Sequence, residues 1–150
     1  MDLLTVLAAE DEIIDEAAAA LERAHLKHYD ATDAAERRAR LRRLLELVTR
    51  CVGSRDLIPM VDHAKQVATE RFHAGYSIGE VQSAFNVLEE TLWHRLVAGV
   101  PSSDLAEAAG LLTTVLGAGK DALARTYVSL ASKQHVPTLD LSALFRVGEG

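Results

Sequence analysis

The chain has one cysteine, three prolines and few aromatic residues, which make up 5% of its 150 positions. A single cysteine excludes an internal disulfide, and a reducing cytoplasm is the expected compartment. Prolines only at 59, 101 and 137 leave long stretches free of backbone interruption. With so few aromatics, a flat aromatic-lined pocket of the kind a haem needs is hard to furnish. No apolar run reaches the roughly 18 residues of a membrane span. The opening Met1-Asp2-Leu3-Leu4 lacks a basic region followed by a long apolar one, so no secretory signal is expected. Period-two clusters of β-branched residues are missing, which argues against a sheet. Positive charge is also in deficit: 16 basic against 22 acidic residues give a net charge of −6. That balance disfavours a general nucleic-acid or anionic-membrane binder, whose contacts rest on the opposite sign.

What is present is helix-forming. Ala, Leu, Glu and Arg dominate, 49% of residues are hydrophobic, and the chain is long enough to close one core without a metal. Apolar spacing predicts five helices in one domain over residues 1–134, followed by a tail over 135–150. The first helix is expected over 9–29, with residues 2–8 as a short turn or a continuation. The second is expected from Asp33, where Asp33 and Glu36 match a capping box, with Gly53 as its stop. The third carries Pro59 in its first turn and ends at Gly75. The fourth is capped by Ser77 and Glu80 and presents Ile78, Val81, Phe85, Leu88, Leu92 and Leu96 on one face. The fifth runs over about 103–132, interrupted by Gly110, Gly117 and Gly119. Those glycines imply either a closely crossing helix or a kink. In the tail, Leu139, Leu141, Leu144 and Phe145 suit a docking strap or a linker.

Several constellations bear on chemistry. Gly117-Ala118-Gly119-Lys120-Asp121 has Thr114 where a phosphate loop needs its first glycine and Asp121 where it needs a hydroxyl, so nucleotide binding is not expected. Two Glu-x-x-His pairs, Glu22/His25 and Glu70/His73, have the spacing used by di-iron bundles; Glu46 and Glu89 or Glu90 are the candidates for the further carboxylates, but the apolar stripes of their helices point elsewhere. His63, His73 and His94 lie on predicted helices, and haem ligation would need one of them to face a large apolar pocket. Cys51 reads as a buried small hydrophobe, or as a redox sensor if Arg50 and Arg55 lower its pKa. The run Arg37, Arg38, Arg40, Arg42, Arg43 reads as a face paired with the acidic first helix, or as a patch for an acidic partner. Gln82, Asn86, Glu89, Glu90 and Trp93 form a polar stripe beside the fourth helix's core face. Its lone tryptophan marks either a core edge or a partner-binding surface of Gln82, Asn86, Glu89 and Trp93. No nucleophile with its base is recognisable, so no catalytic residue is expected.

The segment from Glu70 to Glu90 contains Arg71-Phe72, Gly75-Tyr76 and Glu80-Val81-Gln82. In that pattern it resembles the N-terminal domain of the RsbR/RsbRD family, the RsbT co-antagonist proteins. The stretch from Gly117 to Tyr127 is similar to the final long helix of that domain. The resemblance covers roughly residues 10–132. It implies an all-α, globin-like bundle of five to six helices with a long C-terminal helix, generally without haem. It also implies a homodimer at the input end of bacterial stress signalling, with no catalytic residue in this domain and no cofactor. The expected function is therefore non-catalytic regulation through dimerisation and protein contacts, with the first and last helices and the polar stripe as surfaces. A haem-binding or di-iron sensor is the alternative.

Overall fold

A computed structural model describes residues 2–135. The described residues form helices α1 (Leu3–Leu7), α2 (Glu10–Arg23), α3 (Lys27–Ala31), α4 (Ala34–Ser54), α5 (Ile58–His73), α6 (Ile78–Gly99) and α7 (Ser102–His135), with no strand among them. The expected all-α bundle with a long C-terminal helix is what forms. Expectations for the segment from Pro137 to Phe145 lie outside the described residues.

Local signals explain most helix starts. Asp2 Oδ1 accepts the Thr5 N–H at 2.8 Å and caps α1. Ser77 and Glu80 form the full reciprocal box at the head of α6. At α4, Asp33 caps the Glu36 N–H at 2.8 Å, but the Glu36 carboxylate turns away to Arg40 at 3.2 Å. Asp56 accepts the Ile58 N–H at the start of α5, where Pro59 occupies the first turn.

Three expectations need correction. The first predicted helix is not continuous to residue 29. It closes at Arg23, the chain turns through His25 at φ 49°, and Leu26 is extended before the short α3. The cause is tertiary: the His28 N–H in the first turn of α3 donates to Glu80 Oε2 at 3.1 Å, 52 residues away. At the other end of α3, Arg37 donates to the Tyr29 and Thr32 carbonyls at 2.6 and 2.7 Å. Gly53 does not end α4; the helix continues to Ser54, and Arg55 takes the left-handed cap conformation at φ 57°. Helix α7 runs unbroken through its glycines, and the expected close crossing is met at Gly119 alone of the three. A Cβ on Gly119 would stand 2.8 Å from Phe85 Cε1 and 2.9 Å from Met60 Sδ, whereas a Cβ on Gly110 or Gly117 would have nothing within 4 Å among the described residues.

Helix α7 packs chiefly on α5 and α6, and α2 on α6 and α4. Leu7, Ile13, Ile14, Leu21, Leu41, Leu45, Met60, Leu88, Leu92, Leu96, Leu112 and Leu116 are the largest fully buried side chains. The α6 stripe is the spine of this core, since Leu88, Leu92 and Leu96 recur at the i, i+4 spacing that holds one face inward.

Candidate functional site

The arginine run of α4 divides around that helix's apolar stripe. Arg38 and Arg42 lie on one flank and pair with the acidic start of α2, Arg38 with Asp15 at 2.5 Å and Arg42 with Asp11 at 2.8 Å. Arg37, Arg40 and Arg43 lie on the other flank, at i, i+3 and i+6. The reading of the run as a face paired with the first helix therefore holds for two of its five arginines. On α6, Arg95 also clamps α2, donating to Glu12 and Glu16 at 3.0 and 2.5 Å.

The second flank of α4 faces a polar hub at the α5–α6 corner. Gly75 turns that corner at φ 87°, a conformation open to a residue without Cβ. Tyr76 follows at the centre of the hub. His28 stacks on its ring at 4.5 Å, Tyr29 meets it edge-on at 5.6 Å, and Arg71 lies over it at 5.6 Å. Arg40 donates to the Tyr76 hydroxyl at 3.1 Å, and the Tyr127 hydroxyl donates to the Tyr76 carbonyl at 3.2 Å. The Glu80 carboxylate accepts the Ser77 N–H at 3.1 Å and the His28 ring Nδ1–H at 2.8 Å. Burial alone would raise the Glu80 pKa, but the Ser77 and His28 donors outweigh it and hold the carboxyl at about 2. Burial pushes the Tyr29 phenol up to about 12. The sequence pattern of Arg71, Gly75, Tyr76 and Glu80 thus corresponds to one packed corner.

Beside the hub, α4, α5 and α6 enclose an open cleft of about 370 Å³. Arg40, Arg43, Arg71 and His63 line it, with Glu36 and Glu70 among its walls and Val67, Val81, Ala84 and Phe85 as its apolar side. Burial, followed by the Arg43 and Arg71 charges, lowers the pKa of His63. The arginines on α4 were visible as a cluster in the sequence. Their convergence with His63 and Arg71 depends on how α4 crosses α5, which local spacing does not encode.

The polar stripe of α6 is placed as follows. Gln82 is half-buried and Asn86 exposed; Glu89 is half-buried and accepts from Lys120 Nζ of α7 at 2.5 Å, with Asn86 Oδ1 at 3.4 Å. Lys120 therefore serves an α6–α7 ion pair, and its Gly-Ala-Gly-Lys segment sits within continuous helix. Trp93 is 38% exposed and, one turn on, Val97 is 61% exposed.

The histidine and carboxylate pairs do not converge. Glu22 closes a helix that ends before His25, and Glu70 and His73 are exposed. Among the described residues, no three His, Cys, Asp or Glu side chains are gathered so as to hold a metal ion. His63 lines the α4–α5–α6 cleft beside three arginines, and His94, which is exposed, borders a shallow depression with Glu16, Arg23 and Glu90; neither stands in a large apolar pocket. Cys51 is buried, and desolvation raises its thiol pKa, as expected of a small core residue. No described helix is long and apolar enough to cross a membrane.

No curated protein and no solved structure matches the chain. The family model described as the RsbT co-antagonist protein rsbRD N-terminal domain matches residues 8–135, and the chain belongs to that family.

Proposed function

We propose that the chain is a non-catalytic regulatory domain of bacterial stress signalling that acts through a homodimer and through contacts with a signalling protein. The family match over residues 8–135 carries this reading. The surface chemistry supports it. The acidic face of α2 is taken up by arginines of α4 and α6, whereas the α6–α7 face carries exposed apolar side chains. There, Trp93 and Val97 stand on successive turns of α6, partly or largely exposed, with Gln82, Asn86 and Glu89 beyond them toward the helix start. An aromatic anchor beside a polar rim is the usual composition of an interface centre. On α7, Gly110 and Gly117 leave open space where side chains would stand. A second helix can therefore approach α7 closely. Regulation then consists of a small repacking of α6 and α7 that a partner favours in one of two arrangements.

Light scattering coupled to size-exclusion chromatography tests this reading. The expected result is a dimer that Trp93→Glu converts to a folded monomer. A native chain that stays monomeric at high concentration removes the homodimer from the account.

A further inference from the structure

The cleft between α4, α5 and α6 holds more positive charge than its walls neutralise. Three guanidinium groups line it against two carboxylates. One carboxylate, Glu36, is already engaged by Arg40, which also donates to Tyr76. The other, Glu70, accepts from Gln66 at 3.3 Å and lies 3.5 Å from Arg71. Arg71 is 15% exposed, and beyond that pair its only described partner is the Tyr76 ring, so its N–H donors open onto the cleft. Arg43 has no ion-pair partner among the described residues. A guanidinium presents five N–H donors in a fixed fork that matches a carboxylate or a phosphate. Arg43 and Arg71 share the cleft with the half-buried His63 ring, whose pKa is lowered by burial and then by their charges. The apolar lining comes from Val67, between His63 and Arg71 on α5, and from Val81, Ala84 and Phe85 of α6. A volume of about 370 Å³ falls within the range of small-molecule sites.

We propose that this cleft binds a small organic anion, its carboxylate or phosphate held by Arg43 and Arg71 and its short apolar body laid against Val81, Ala84 and Phe85. The site explains why a nearly buried arginine is kept without a strong ion pair: the anion completes it. Occupancy has a direct route to the rest of the molecule. Phe85 closes one side of the cleft and, through its ring edge, fills the space over Gly119 of α7. A ligand that moves the Phe85 ring therefore moves the contact between α6 and α7. This step supplies an input for the regulatory reading above, and the binding itself does not depend on that reading.

Two-dimensional amide NMR of the full chain tests the proposal, with hexanoate, phenyl phosphate and inorganic phosphate as probes and hexanol as the uncharged control. The expected result is millimolar or tighter binding of hexanoate or phenyl phosphate, with shifts confined to α4, α5 and α6 around the cleft and at Gly119. Hexanoate and phenyl phosphate then report which head group is preferred. Arg43→Gln, at an exposed position where folding is not at stake, weakens binding by about tenfold or more, because a charge-assisted pair is lost. Arg38→Gln, on the other flank of the same helix, leaves it unchanged. Binding of hexanol as tight as hexanoate, an Arg43→Gln variant that binds as well as the native chain, or no cleft shifts with any anion each overturns the proposal. A monomeric protein that binds through Arg43 keeps this inference and removes the homodimer; a dimer that binds none of the probes does the reverse.

Discussion

The three glycines of α7 offer a test in which one substitution has opposite effects along a single helix. Gly→Ala in a helix interior gains about 1 kcal/mol from backbone entropy and helix propensity. At Gly110 and Gly117 nothing among the described residues lies within 4 Å of the new methyl, so that gain is retained. At Gly119 the methyl meets Phe85 Cε1 at 2.8 Å, Met60 Sδ at 2.9 Å and Met60 Cγ at 3.1 Å. Both neighbours are buried, Phe85 at 3% exposure and Met60 at 0%, so neither can swing into solvent. Overpacking of this kind costs about 1–3 kcal/mol. The balance for Gly119→Ala is a loss of about 1 kcal/mol, which puts it about 2 kcal/mol below Gly110→Ala. Urea denaturation followed by far-ultraviolet circular dichroism reads the difference as a shift of midpoint at constant slope. In a domain of this size about 1 kcal/mol corresponds to about 2–4 °C in Tm. A Gly119→Ala chain as stable as Gly110→Ala refutes the close crossing of α7 over Phe85 and Met60.

Other outcomes follow from the α5–α6 corner and its ion pairs. The Glu80 carboxyl, at about 2 in the folded chain against 4.5 unfolded, adds stability that is fully present above pH 4.5 and is lost as pH falls toward 2. At about 1.4 kcal/mol per unit the ceiling is about 3 kcal/mol, and solvent at the rim of the hub brings the expected effect to about 1–2 kcal/mol. The gap between native and Glu80→Gln stability at neutral pH should therefore close as the pH drops below 4.5; a gap independent of pH contradicts the assignment. Arg37→Met removes two charge-assisted bonds to the end of α3 and should cost about 1.5–3 kcal/mol, with amide exchange faster across residues 25–32. Arg38→Met breaks only an exposed pair with Asp15 and should cost under about 1 kcal/mol. Equal costs for these two arginines, by the same denaturation assay, would show that Arg37 does not cap α3.

Where a structural choice is made locally, the sequence was enough to read it. Ser77 and Glu80 satisfy each other's backbone donors within one turn, and the α6 stripe from Val81 to Leu96 needs no partner to be recognised. The break after Arg23 was not legible, because residues 9–29 keep helical spacing and the group that caps α3 is Glu80, which sits on another helix. The arginine run showed its charge but not its division, since which flank meets α2 and which meets the hub is decided by how α4 is seated. Gly117 and Gly119 look alike as letters; Phe85 and Met60, from α6 and α5, distinguish them. The cleft was missed for the same reason. Its cations come from α4 and α5, and only Arg40 and Arg43 stood out as part of a dense cluster.

The central functional claim is that the α6 face around Trp93 is covered when the protein acts. Trp93 is the chain's single tryptophan, so its emission reports that face alone. Emission recorded across protein concentration should move to shorter wavelength as the chains pair and the partly exposed indole leaves water, and Val97→Glu should abolish the shift. Emission that stays fixed over a range in which light scattering records a dimer would place the interface elsewhere and contradict the account.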